Sequence, residues 1–130
     1  MKLAQFFDFL FPPRCAHCGI SMSGEALCVA CEEKLVRHHT LFCAVCGARL
    51  PAGKKICHTR AAYLLGAAFN FHDPAVRDVI HALKFNGIRS YGTWLGNEIA
   101  RYAAPLVPGR NVLVIPVPLS RKRLYERGFN

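Results

Sequence analysis

The second half of the chain carries the clearest alternation of apolar and polar positions. Between Tyr63 and Phe71, Leu65, Ala67, Phe69 and Phe71 share one parity, which predicts a strand. Asp73-Pro74 then supplies an N-cap and a first-turn proline. Val76, Val79, Ile80 and Leu83 recur at helical spacing, and Asn86-Gly87 ends that helix. A second helix is predicted from about Ser90 to Ala104, with Leu95, Ile99, Tyr102 and Ala103 as its apolar stripe and Pro105 as its stop. Val112-Leu113-Val114-Ile115 is a continuous apolar run, and between helices such a run reads as a buried parallel strand. Near the start, Phe6, Phe7, Phe9 and Phe11 predict an amphipathic helix packed on the adjoining segment of the chain, in preference to a membrane anchor.

Residues 15 to 60 lack that periodicity and are organised by cysteine instead. Cys15-x2-Cys18 and Cys28-x2-Cys31 are separated by nine residues; Cys43-x2-Cys46 comes next, then Cys57 after ten more. A C-x-x-C knuckle presents two thiolates from one turn, and two facing knuckles complete a tetrahedral zinc site with Zn–S near ~2.3 Å. Gly19 and Gly47 each come directly after a knuckle, where the turn calls for positive φ. Cys-Ala-His-Cys-Gly and Cys-Ala-Val-Cys-Gly therefore read as two successive zinc ribbons. Cys15, Cys18, Cys28 and Cys31 make a complete first ligand set. Cys43, Cys46 and Cys57 make an incomplete second one, because Arg60 stands where a fourth cysteine is due and arginine cannot bind zinc. His58 could serve only with an awkward backbone; His38 and His39 are other candidates, and a three-coordinate or lost site is a further alternative. His17, between two ligands, reads as a surface residue. A redox dithiol is the competing reading, but such motifs sit in a βαβ context and do not recur three times. Four sulfurs leave no open position for catalysis.

Composition narrows the setting. Apolar residues make up 52% of 130 residues, which excludes a disordered tail. The odd count of seven cysteines, and an N-terminus interrupted by Gln5 and Asp8 with no small-residue cleavage site, argue against a secreted disulfide framework. No stretch approaches the roughly 20 apolar residues of a membrane span. A cytoplasmic protein with reduced, metal-holding thiols is expected. With 17 Lys+Arg against 8 Asp+Glu, the net charge is +9, which favours polyanionic partners. Past the carboxyl end of the Val112–Ile115 run, Ser120, Arg121, Lys122 and Arg123 suit phosphate oxygens, and Lys84 could join them; a solvated basic loop is the alternative.

Two features then carry a family resemblance. One is the cysteine module introduced by Leu10-Phe11-Pro12-Pro13-Arg14-Cys15; the other is Ile115-Pro116-Val117-Pro118-Leu119-Ser120-Arg121-Lys122-Arg123 followed by Arg127-Gly128-Phe129-Asn130. Together with Leu83-Lys84-Phe85 they resemble the ComF family, phosphoribosyltransferase-like proteins associated in many bacteria with DNA uptake during natural competence. The resemblance implies an α/β fold: a double zinc-ribbon module over residues 1–60 with its N-terminal helix, then an incomplete Rossmann-like parallel sheet of the type I phosphoribosyltransferase kind over 61–130. It implies that Pro118 to Arg123 meets a pyrophosphate, with Arg121, Arg123 and Arg127 facing phosphate and Lys84 a weaker candidate.

The chain ends at Asn130 in mid-motif. The family's acidic pair and Thr/Gly-rich phosphate cradle are not within it, since Glu32-Glu33 lies in the cysteine module. A truncated or frame-interrupted member is expected, with zinc as cofactor and Mg²⁺ only were the rest of the domain present. Phosphoribosyl pyrophosphate is not expected to bind this chain, and its last strand would keep an exposed edge. Three functions stay open: a DNA-uptake accessory protein meeting single-stranded DNA or other uptake proteins, a phosphoribosyltransferase, and a stand-alone zinc-ribbon interaction module. Nothing separates DNA from RNA, and no single aromatic stands out as a stacking platform.

Overall fold

Two tight turns built on glycine set the shape of the cysteine module. Gly19 and Gly47 hold φ at +74° and +70°, and their N–H groups donate to the carbonyls of Cys15 (3.0 Å) and Cys43 (2.8 Å). A residue with a Cβ is strained at that φ, so the glycines stand where the sequence requires them. The computed structural model describes residues 12–22, 26–51, 57–60, 62–106 and 112–130. The predicted N-terminal helix over the first eleven residues lies outside the described residues.

In chain order the elements are α1 (Val29–Glu32), β1 (Phe42–Cys43), β2 (Leu64–Leu65), α2 (Pro74–Phe85), α3 (Ser90–Ala103) and α4 (Arg121–Arg127). β1 and β2 pair antiparallel, with Phe42 opposite Leu65 and Cys43 opposite Leu64. The strand expected over 63–71 is thus a two-residue strand with one later bridge, Arg37 to Phe69.

The α2 start is as the sequence predicts. The Asp73 carboxylate accepts from the N–H groups of Ala75 (2.9 Å) and Val76 (3.4 Å), and Pro74 occupies the first turn. Its buried face is Ala75, Val76, Val79 and Ala82. α3 also falls where expected, but its inward face is turned. Tyr91, Trp94 and Glu98 are buried, whereas Ile99, placed on the expected stripe, is 59% exposed. Two aromatic rings supply more apolar area than the aliphatic stripe, and the Glu98 carboxylate is neutralised by arginines from both sides.

One core serves both halves of the chain. Cys15, Ala26, Leu27, Cys31 and Leu35 pack with Ala75, Val76, Val79, Ala82, Tyr91 and Trp94. The Phe69 and Trp94 rings stack at 5.8 Å, and the Tyr91 hydroxyl donates to the Arg14 carbonyl at 3.2 Å. The cysteine module is therefore docked on the α2–α3 hairpin, with its first cysteine cluster against the helices.

The parallel sheet is corrected. Among the described residues the one sheet is antiparallel and two-stranded. Val112–Ile115 belongs to no strand among the described residues, with Leu113 82% and Val114 83% exposed. A strand exists only against a hydrogen-bonding neighbour, and the described chain offers this run none. The alternative of a solvated basic loop is also corrected: from Arg121 the segment is the helix α4. Ser120 caps it by accepting from the Arg123 N–H (3.3 Å), and Gly128 ends it at φ +72°. Among the described residues no helix is long and apolar enough to cross a membrane.

Candidate metal centres

The first cysteine cluster gathers on two local devices. The Cys15 N–H donates to Ile20 O and the Ala16 N–H to Ala26 O, both at 2.9 Å, which folds the first knuckle back on the second. Cys28 then leads directly into α1, whose single turn carries Cys31. The sulfurs of Cys15, Cys18, Cys28 and Cys31 all lie within 4.8 Å of one another, with Cys18 and Cys28 at 3.6 Å. A tetrahedron with Zn–S of ~2.3 Å has edges of about 3.8 Å, so the cluster has the span of a zinc tetrathiolate.

The protons on these sulfurs are unequal. Burial pushes the Cys15 thiol up, but N–H donors from Cys18, Cys28 and His17 outweigh it and bring the thiol down to about 6. Cys31 is pushed up to about 12, first by hydrogen bonding with the Cys28 side chain and then by burial and the remaining sulfurs. One thiolate forms easily and the next is opposed by it. A divalent cation removes that conflict, because each sulfur then faces positive charge.

The second cluster is Cys43, Cys46, Cys57 and His58, again with ligand atoms within 4.8 Å. Cys46 and Cys57 sulfurs are 3.9 Å apart, and Cys43 Sγ is 3.5 Å from His58 Nδ1. With Zn–N of ~2.0–2.1 Å, a mixed sulfur–nitrogen edge is about 3.6 Å, so the fourth place fits His58. The objection to an adjacent Cys-His pair fails because residues 57–60 form a turn that brings both ligand atoms within 4.8 Å of those of Cys43 and Cys46. Arg60 is exposed, and His38 turns elsewhere, meeting Arg49 at 3.4 Å and the edge of Phe42. The Cys43 thiol is lowered to about 6, by the Cys46 N–H first and then by His58, while hydrogen bonding to Cys46 raises Cys57. Cys43 is wholly buried and pairs through β1 with Leu64, so the second cluster also joins the rest of the fold. His17 is a surface residue, as expected: its Nδ1 meets Asp78 Oδ2 at 2.8 Å.

The expected phosphate contacts divide. Arg123 and Arg127 are four residues apart on α4 and share a face, and the Arg127 guanidinium lies 5.9 Å from the centre of the Phe85 ring. By helical spacing Arg121 points roughly 160° away from Arg123 and about 120° away from Arg127. Ser120 Oγ is engaged as the α4 cap. Lys84 is exposed in the last turn of α2, next to Phe85. What the sequence missed here is aromatic: Phe85 and Phe129, each met by an arginine.

Comparison with known proteins agrees with this geometry. Residues 6–60 match the family model of the double zinc ribbon domain, and the two four-ligand clusters are consistent with zinc in such a domain. Over 117 residues the chain is 24% identical to the competence protein ComFC of Bacillus subtilis (strain 168), covering 82% of this chain and 48% of that protein. The chain thus spans about half the length of the curated relative it matches. No solved structure matches the chain significantly.

Proposed function

We propose, taking as premise a zinc-binding double zinc ribbon protein distantly related to ComFC, that this chain is a cytoplasmic accessory protein of DNA uptake. In this reading zinc is structural. Cys15, Cys18, Cys28 and Cys31 hold one ion; Cys43, Cys46, Cys57 and His58 hold the second. The observation that carries the reading is that both ligand sets are four-membered and closed, which leaves zinc no position for water or substrate. The ribbons over residues 1–60 then act as a scaffold for the segment 61–130. That segment contributes a basic surface through Lys84, Ser120, Arg121, Arg123 and Arg127, with no catalysis of its own. The +9 charge supports a polyanionic partner, the name of the relative supports a competence context, and single-stranded DNA is the polyanion we propose for it.

The test is binding of single-stranded DNA by the zinc-loaded protein over a salt series. Phosphate contacts should give a linear fall of log K with log salt, about −0.7 per phosphate neutralised. No binding at low salt removes the nucleic-acid reading.

A phosphoribosyl pyrophosphate-binding enzyme is a second reading, favoured by one observation. The apolar run Val112–Val117 leads within three residues to Ser120 and a basic helix, the order in which a sheet strand and a phosphate site would follow each other. Calorimetry with phosphoribosyl pyrophosphate and Mg²⁺ separates the two, since tight binding would favour the enzyme.

A further inference from the structure

We infer that the C-terminal ends of α2 and α4 together form a stacking surface for single-stranded nucleic acid, with Phe85 as its base platform and Arg127, Arg89 and Lys84 as its phosphate contacts. This rests on the nucleic-acid reading above and locates the surface that would perform it.

Phe85 is the starting point. It is the last residue of α2 and is 63% exposed, while the core face of that helix is complete without it. Its ring is nonetheless held. The His81 ring meets it edge-on at 5.3 Å, and the Arg127 guanidinium lies 5.9 Å from its centre. A second aromatic–guanidinium pair stands beside the first. Gly128, at φ +72°, turns the chain after α4 so that Phe129 comes beneath Arg89, 5.3 Å from its guanidinium carbon. The same arginine donates to the Gly128 carbonyl at 3.5 Å. Two segments far apart in sequence thus place two rings and two guanidinium groups on one surface.

Charge on that surface is mainly positive, with Glu126 of α4 as its one nearby acid. Arg77, His81 and Phe85 recur at i, i+4 and i+8 along the exposed face of α2, and Lys84 adjoins them. The one acidic residue of α2, Asp78, is paired with His17. A base offers a π-face to Phe85, and its phosphates meet cations already held beside the rings. An acidic peptide would use the charges and leave the rings idle. A duplex would offer phosphates but no free base face.

The test is fluorescence anisotropy of the zinc-loaded protein with an oligothymidylate of about 20 nucleotides, the matching oligouridylate and a duplex of the same length. The single strands should bind more tightly than the duplex. Phe85→Ala should weaken single-strand binding about tenfold with an unchanged salt slope, and Phe85→Trp should restore it. Arg127→Ala should weaken binding and reduce the slope by about 0.7. Tyr125→Ala is the comparison variant: that ring is 93% exposed but lies on the far side of α4 from Arg127. Zinc content and circular dichroism establish that each variant is folded. If the protein binds but Phe85→Ala matches wild type, or Tyr125→Ala weakens binding equally, or the duplex binds as tightly, this surface is wrong while the polyanion reading survives. No binding of any probe at low salt removes both. A preference for oligouridylate keeps the surface and assigns it to RNA.

Discussion

Arg37 Nε–H donates to Glu98 Oε2 at 2.7 Å, which ties the cysteine module to α3 through a carboxylate only 4% exposed. The other Glu98 oxygen accepts from Arg101 at 2.6 Å, and Arg37 also reaches Glu32 at 2.9 Å. Glu98 raises the affinity of Arg37 for its proton, by hydrogen bonding before any other cause. The carboxylate is the hub, because its desolvation is offset chiefly by the part-buried Arg37 guanidinium, with the exposed Arg101 adding less. Glu98→Gln should destabilise the zinc-loaded protein by about 2 kcal/mol in urea denaturation. Arg101→Ala should cost under about 1 kcal/mol, because that side chain is largely in water. Equal effects would remove Glu98 from its central place.

Zinc content should report two separate sites. Cys18→Ser and Cys46→Ser should each lower bound zinc from two ions to one by elemental analysis. Arg60→Ala should leave it at two. His58→Ala should speed loss of one ion to a chelator and leave the other unaffected. Two ions retained equally well without His58 would exclude it as the fourth ligand.

Chelation should be visible from α3. Trp94, the one tryptophan of the chain, is buried in the core shared with Cys15 and Cys31. Removing zinc should shift its emission to longer wavelength and reduce the helical signal in circular dichroism. Cys31→Ser should lower the melting temperature more than Cys46→Ser, since Cys31 sits in that core and Cys46 is exposed.

Zinc affinity should rise with pH, because binding releases thiol protons. The Cys15 thiol, brought to about 6, is already ionised above that pH and protonated below it. Affinity at the first site should therefore fall more steeply with acid below about pH 6 than above it. Chelator competition across pH 5 to 8 measures the two slopes. A single unchanging slope would contradict the low Cys15 value.

The α2 cap is worth about 1 kcal/mol. Asp73→Ala deprives two N–H groups of their acceptor and should lower stability by that amount, with zinc content unchanged. A loss near zero would mean that water satisfies those donors equally well.

Local signals were the legible ones. Asp73-Pro74 and Asn86-Gly87 bounded α2 because capping acts within a few residues. The repeated C-x-x-C-G strings located both knuckle turns for the same reason. Long-range partners were not legible. The inward face of α3 turned away from Ile99 because Glu98 found Arg37 sixty-one positions earlier, and no periodicity encodes that pairing. His58 looked unsuitable because adjacency in sequence says little about a turn whose shape depends on Cys43 and Cys46. The Val112–Ile115 run has strand chemistry, but strand identity belongs to a pair, and its described surroundings supply no second member.

The shared core also sets an order of events on the ribosome. Cys15 and Cys31 leave the exit tunnel well before Tyr91 and Trp94, the residues that pack against them. At roughly 5–20 residues per second, the roughly 70 residues from Cys31 to the end of α3 take several seconds to emerge. A first cluster that captures its ion during that interval offers the emerging α2–α3 hairpin a finished surface to fold upon. One still empty offers loose thiols and an exposed Leu27–Leu35 face. Metal supply during synthesis should therefore govern the yield of this chain, as metal affinity afterwards should govern its stability.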